Sequence, residues 1–336
     1  MIEDRTLWQR LGQLDRADPN IAFLIQRLLD CRASTKDSEV NSQLLQDIIL
    51  KYVAAEAKLV SLNKELYEKQ RSLDEDLSAA AEIQHSLLPQ KIEPSNHMRV
   101  SWSFRPCEKI GGDIFNLIQL DPHHWGIYVL DVSGHGVPAA MVAVSVYQFL
   151  QSHTGFLVKR SSASSPVRNI RTPGEVFAAL EREFPFERFT NFFTITYFVL
   201  NTATGRILYG NAGHPLPILL RKSGGFEKLT RGGPPIGLNS LRNPSDGQVG
   251  YSEGIADMTH GDKLFVFTDG LLDYQDPEGN FFGNDRLYRI FSQLPDQPVS
   301  SNIATIEKAL ADFGNKAPLH DDITLLGLEY LGEGRA

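Results

Sequence analysis

The sequence predicts an α+β domain built largely of antiparallel strands and preceded by a long helix. Three observations carry that expectation. Downstream of Pro89, short runs rich in β-branched and aromatic residues alternate with turn residues. Two stretches there, "FFTITYFVLNTATGRILYGNAG" and "LPILLRKSGGFEKL", each read as a hairpin broken by a glycine-containing turn. Upstream, apolar residues recur at three-four spacing from Leu45 to Leu87 with no glycine or proline between them. Successive hairpins favour an antiparallel α+β domain over a doubly wound parallel one.

Taken in order, residues 1–40 form a short mixed segment whose helical-looking "IAFLIQRLLD" ends at the polar "RASTKDSE", and no function attaches to it. Residues 41–88 follow as a helical linker. Its apolar seam runs through Leu45, Ile48, Tyr52, Ala55, Leu59, Leu62, Leu66, Leu73, Ala80, Ile83 and Leu87, interrupted at Lys69 and Asp76. One reading is an amphipathic helix lying on its own domain. A run this long is hard to cover with one neighbour, so a parallel coiled coil that makes the protein a homodimer is expected. Pro89 ends the helix. Because the run reaches Leu88 unbroken, a shift of the coiled coil is expected to pass into the first elements of the domain that follows.

Residues 89–331 make the main domain. Strands are expected at "MRVSWSFRP", "IFNLIQL", "HWGIYVLDV", the two hairpins, "KLFVFTD" and "ITLLGLEYL", with helices over 137–151, 173–184 and parts of 283–313. Residues 152–172 read as a Ser-rich loop with Lys159, Arg160, Arg168 and Arg171 and no acid, the one basic patch on an acidic chain.

Composition narrows the function. The chain has 336 residues, 42% hydrophobic and 22% charged, enough apolar material for a sizeable core. A formal charge of −8 argues against a nucleic-acid binder. Only Cys31 and Cys107 are present, so neither a disulfide framework nor a zinc-knuckle spacing is available, and a reducing cytoplasm is expected. No leader pattern or membrane-spanning run is visible, and no membrane association is expected.

Four sites place carboxylates beside glycines at the ends of apolar runs: "GGD" at 111–113, "DVSGHG" at 131–136, "TDG" at 268–270 and "HDD" at 320–322. Asp131 ends one apolar run, Asp269 ends another, and Asp321 with Asp322 opens a third. A single such aspartate is most often a turn-former. If the four sites converge, carboxylates ~4 Å apart repel by roughly 4 kcal/mol per pair at an effective dielectric near 20, so they need protons or cations. An all-oxygen set suits Mg²⁺ or Mn²⁺ rather than zinc.

The blocks "AAEIQHSLLP", "GGDIFNL", "LDVSGHGVPAAMV", "NAGHPLPILL", "FTDGLLD" and "HDDITLL", in this order, resemble the metal-dependent protein phosphatase (PPM) family, in its bacterial SpoIIE/RsbU-type branch. "GGD" also occurs in diguanylate cyclases, but "GGDIFNL" lacks the acidic residue that follows there, and the other blocks do not belong to that family. The resemblance implies an αββα sandwich of two antiparallel sheets, two Mn²⁺ or Mg²⁺ ions, and hydrolysis of a phosphoserine or phosphothreonine by a metal-activated water. It makes Asp131 the metal-bridging carboxylate and the Val132 carbonyl a ligand of the second metal, with Asp269 and Asp321 ligands of the first. Asp113 falls on the remaining acidic position, placed either on a metal or on a metal-bound water, and Asp322, where relatives carry Asp or Asn, is counted with the candidate metal ligands. The implied substrate is a phosphorylated STAS-type anti-sigma factor antagonist; the alternative is an inactive PPM-like scaffold that only binds a signalling partner. His135 and His214 are candidate acids for the leaving serine oxygen, although a histidine in a glycine-rich turn is more often structural.

Overall fold

The computed structural model describes residues 38–89, 97–151, 156–159, 169–238 and 250–332. The expected helix at 21–30 and most of the 152–172 loop lie outside these residues. Two compact units divide the chain, Met1–Glu75 and Asp76–Ala336. The division falls inside the long helix α1 (Ser38–Leu87), so its last three turns belong with the strands rather than with the linker. In the first unit, Leu59, Leu62, Leu66 and Leu73 of the heptad seam are 48–65% exposed.

The second unit continues with β1 (Met98–Arg105), β2 (Ile114–Gln119), β3 (His124–Val132), α2 (Gly136–Phe149), β4 (Val158–Lys159), β5 (Asn169–Ile170), α3 (Pro173–Glu183) and α4 (Phe186–Phe189). Then come β6 (Phe193–Asn201), β7 (Arg206–Ala212), β8 (Ile218–Leu220), β9 (Phe226–Lys228), β10 (Gly232–Gly233), β11 (Gly254–Asp257), β12 (Lys263–Phe267), α5 (Asp269–Leu272), α6 (Gly283–Gln293), α7 (Val299–Gly314) and β13 (Ile323–Tyr330). One sheet has the order β1-β13-β12-β8-β9, and the other β10-β7-β6-β3-β2 with β11 also on β7. All pairings are antiparallel except the short β10–β7 contact.

Side-chain alternation builds the layers. Along β12, Leu264 and Val266 join the core shared with the second sheet, while Phe265 and Phe267 join a separate core with Leu287 and Phe291 of α6 and Ile303 and Ile306 of α7. The same division runs along β13, where Leu326 and Leu328 face one way and Ile323 and Leu325 the other. A strand covered on both faces is largely apolar along its length, which is why these runs show no regular polar alternation in the sequence. On the far side, Ala139, Val142, Ala143 and Val146 of α2 and Val176, Phe177 and Leu180 of α3 pack on the second sheet. The result is helix, sheet, sheet, helix, the αββα sandwich expected. Burying each large apolar side chain contributes about 1.5–3 kcal/mol, so the two-sided strands are the stable frame on which the site is mounted.

Local chemistry sets the boundaries. Helix α3 begins at Pro173 behind a capping box, in which the Thr172 hydroxyl accepts from the Glu175 N–H and the Glu175 carboxylate accepts from the Thr172 N–H. Strand β12 ends at Phe267 rather than at Asp269, because Asp269 opens the one-turn α5 with Thr268 in extended backbone before it. No helix among the described residues is long and apolar enough to cross a membrane.

Candidate active site

The strand ends nearest the boundary between the sheets bring all five expected aspartates to one place. Asp113 immediately precedes β2, Asp131 is the penultimate residue of β3 opposite Thr194, Asp269 starts α5, and Asp321 and Asp322 immediately precede β13. Burial raises the carboxyl pKa of Asp131 well above the usual range, and the charges of Asp269, Asp321 and Asp322 raise it further. Asp113 is raised in the same way, first by burial and then by Asp131 and Asp322. Asp321 is raised to about 6, again mainly by burial, with Asp269, Asp322 and Asp273 adding to it. Of the neighbouring charges, that of Asp269 raises Asp131 most.

Asp113 is almost wholly buried, and its Oδ2 accepts hydrogen bonds from Thr268 Oγ1 at 2.8 Å and Thr324 Oγ1 at 2.6 Å. Those threonines come from the ends of β12 and β13, so a carboxylate on one sheet is oriented by hydroxyls of the other. The buried Asp322 uses its carboxylate differently. Its Oδ1 accepts from the Cys107 N–H at 2.8 Å and its Oδ2 from the Asp113 N–H at 3.4 Å. Next to it, the Asp322 N–H donates to Asp321 Oδ1 at 2.8 Å. Desolvation, reinforced by Asp322, pushes the Cys107 thiol up to about 12, so Cys107 contributes its N–H and not a thiolate.

The glycines beside the carboxylates now have a physical reason. A Cβ on Gly111 would lie 1.9 Å from Asp322 Oδ2, and one on Gly270 would lie 2.1 Å from the Asp322 carbonyl oxygen. Both positions are backbone against which the acidic loops close. Gly134 and Gly136 serve otherwise, through φ of +88° and +72° in the turn between β3 and α2.

The two histidines separate. His214 is buried, with Nδ1 2.7 Å from Thr194 Oγ1, and burial holds its pKa down to about 3, so it is neutral at physiological pH. His135 is exposed at the start of α2, with Nδ1 3.0 Å from Glu108 Oε1. Of the basic loop, Arg171 is a local tie: its Nε donates to the Phe156 carbonyl at 2.6 Å and its guanidinium sits 4.6 Å from that ring. Arg160 and Arg168 lie outside the described residues.

The donor set suits a hard divalent cation: five carboxylates gathered from both sheets, three of them held above the ordinary pKa range, and one buried oxygen, Asp269 Oδ1, with no hydrogen-bond partner. As the side chains stand, no three His, Cys, Asp or Glu groups among the described residues form a ready coordination shell.

Sequence reading alone missed Thr268, Thr324 and Gln84, whose side chain pairs with Gly111. The available signal was position: Thr268 adjoins Asp269, and Thr324 stands two residues beyond Asp322, on the same face of the extended chain.

A family model described as "Stage II sporulation protein E (SpoIIE)" matches residues 121–331, well over half of the chain, leaving Asp113 outside the matched span. Among curated proteins, the chain is 25% identical over 225 residues to phosphoserine phosphatase RsbP of Bacillus subtilis (strain 168), covering 67% of this chain and 50% of that protein. It is 24% identical over 264 residues to phosphoserine phosphatase RsbU of the same organism, covering 77% and 71%. The chain thus spans about half the length of RsbP. Among solved structures, the SiaA-PP2C domain of Pseudomonas aeruginosa superposes with a TM-score of 0.62 at 20% identity, over 77% of this chain and 98% of that one. The PP2C phosphatase domain of SpoIIE from Bacillus subtilis, solved with a fragment of its regulatory domain, gives 0.54 at 11% identity, over 69% and 63%. At these identities the structural likeness establishes the fold.

Proposed function

The chain belongs to the SpoIIE family, and on that premise we propose that it is a metal-dependent protein serine/threonine phosphatase whose active site is the aspartate cluster. The observation that carries this reading is the convergence of Asp113, Asp131, Asp269, Asp321 and Asp322 in a site that raises carboxyl pKa values and leaves Asp269 Oδ1 buried without a partner. In this reading Asp113, Asp131, Asp269 and Asp321, with the Val132 carbonyl, hold two Mn²⁺ or Mg²⁺ ions. Asp322 organises the site, since its oxygens fix the Cys107 and Asp113 N–H groups. Bound divalent cations supply an activated water and neutralise charge on the phosphoryl oxygens.

The protein's own groups do the rest. Thr268 and Thr324 hold Asp113 Oδ2, which leaves Oδ1 available to a cation. His135 meets solvent and is steadied by Glu108, which makes it better suited than the neutral, buried His214 to protonate a leaving serine oxygen. The substrate is a phosphoserine or phosphothreonine in a regulatory protein, of the STAS-type anti-sigma antagonist class; the names of RsbP and RsbU as phosphoserine phosphatases support the phosphoserine half of that statement. Phosphate release from a phosphorylated STAS protein in the presence of Mn²⁺ tests the reading, and dependence on the aspartates separates it from a binding-only scaffold.

The same reading makes α1 a dimerisation helix, supported by the exposure of Leu59, Leu62, Leu66 and Leu73 along one heptad seam. Sedimentation should find the full chain dimeric and a chain beginning near Glu82 monomeric. A shortened chain that dimerises with undiminished affinity would move the contact into the catalytic domain.

A further inference from the structure

The last turns of α1 grip the loop that carries Asp113. Gln84, 7% exposed, uses both ends of its amide on a single residue: Nε2 donates to the Gly111 carbonyl at 2.7 Å, and Oε1 accepts from the Gly111 N–H at 3.2 Å. Around it the helix end is fastened by the buried Leu88 and by the His85 ring, edge-on to Phe104 at 5.4 Å, while Ile83 on another face is 66% exposed. Asp322 also lies against Gly111, so close that a Cβ there would overlap its Oδ2. The backbone at Gly111 is therefore held by the helix amide and bounded by the carboxylate that also receives the Asp113 N–H at 3.4 Å. That last bond is long, and a slip at Gly111 would break it first.

We propose that Gln84 is a positioning residue that fixes the 111–113 segment and thereby sets the affinity of the aspartate cluster for its divalent cations. The inference rests on the site assigned above and adds to it the element that holds the site in register. Asp113 reaches the cluster only if residues 111 and 112 follow their present path. Glutamine meets the requirement because one side chain presents a donor and an acceptor to the C=O and N–H of one residue. Any displacement of the helix end must move Gly111 or break both bonds, so the cluster's grip on cations follows the helix.

The test uses the full chain with Gln84→Met, which keeps length and apolar packing but removes both hydrogen bonds, and Gln84→Ala beside it. Mn²⁺ uptake is read by electron paramagnetic resonance of the free ion, and protection of the Gly111 amide by hydrogen exchange. Both variants are expected to bind Mn²⁺ about 10- to 100-fold more weakly, the usual cost of losing a group that orients a metal ligand. The Gly111 amide should exchange faster, and excess Mn²⁺ should restore much of the turnover. A Gln84→Met protein with wild-type Mn²⁺ affinity, or one whose weakened uptake is not recovered by excess metal, overturns the inference and leaves the site assignment standing. Wild-type protein that takes up no Mn²⁺ overturns both.

Discussion

Asp131→Asn is expected to lower Mn²⁺-dependent phosphate release by roughly 10²- to 10³-fold or more, while making the metal-free protein more stable at pH 8. Asp131 faces more of the other carboxylates than any member of the cluster, and its pKa is raised by burial and then by Asp269, Asp321 and Asp322. A carboxyl whose folded pKa lies above its unfolded value favours the fold while it is protonated. That contribution is complete below the unfolded pKa near 4 and is lost as pH rises through the folded value. For Asp321 the window runs from there to about 6; for Asp131 it ends higher than the usual carboxylate range. Asparagine carries no charge, so it keeps the stability that the ionised aspartate loses. The gain should be about 1–3 kcal/mol at pH 8, less than the ~4 kcal/mol between two bare charges 4 Å apart, because bound protons already relieve part of the strain. It should vanish near pH 4. Added Mn²⁺ should reverse the order, since only the wild type gains stability by binding it fully. Thermal melts at pH 4 and 8, with and without Mn²⁺, check all four expectations.

Gly270→Ala is expected to cost about 1–3 kcal/mol or more in stability and to abolish turnover together with it. At an ordinary helix start alanine would improve on glycine by up to ~1 kcal/mol. Here the added methyl would stand 2.1 Å from the Asp322 carbonyl oxygen and 3.2 Å from Asp321 Cβ. Both neighbours belong to the site, so relief can come only by moving Asp321 and Asp322 away from Asp269. Gly250→Ala, with nothing within 4 Å of the new methyl, serves as the neutral comparison in the same urea melts and activity assays.

What the sequence revealed depended on which interactions decided each element. "HWGIYVLDV" is a strand from His124 to Val132, as read, because an unbroken apolar run of that length is buried on both faces. The 192–213 hairpin turns where expected because Gly205 adopts φ +75°. Helix α3 was read from its pattern over 173–184, and the Thr172–Glu175 capping box fixes where it starts; the end of α1 was marked by Pro89. The short β4, β5, β10 and β11 left no local signature, since strands of two to four residues are held by their sheet partners and not by their own pattern. At the site, the residue types and glycines were visible but their convergence was not. Asp113 and Asp131 hang from one sheet and Asp269, Asp321 and Asp322 from the other, so only the packing of the two sheets brings them together. The resemblance in motif order supplied what spacing could not. Thr268, Thr324 and Gln84 escaped because a hydroxyl at a strand end and an amide on a helix look like ordinary solvated groups until their partners, 27 to 211 residues away, are known.

The most direct measurement is phosphate release from a phosphoserine-bearing STAS protein by wild type and Asp131→Asn, each with Mn²⁺ and with chelator. Release by the wild type that requires Mn²⁺ and disappears in the variant is the result predicted. Release that continues at the same rate in chelator, or in Asp131→Asn with Mn²⁺, would contradict a metal-dependent phosphatase site at this aspartate cluster.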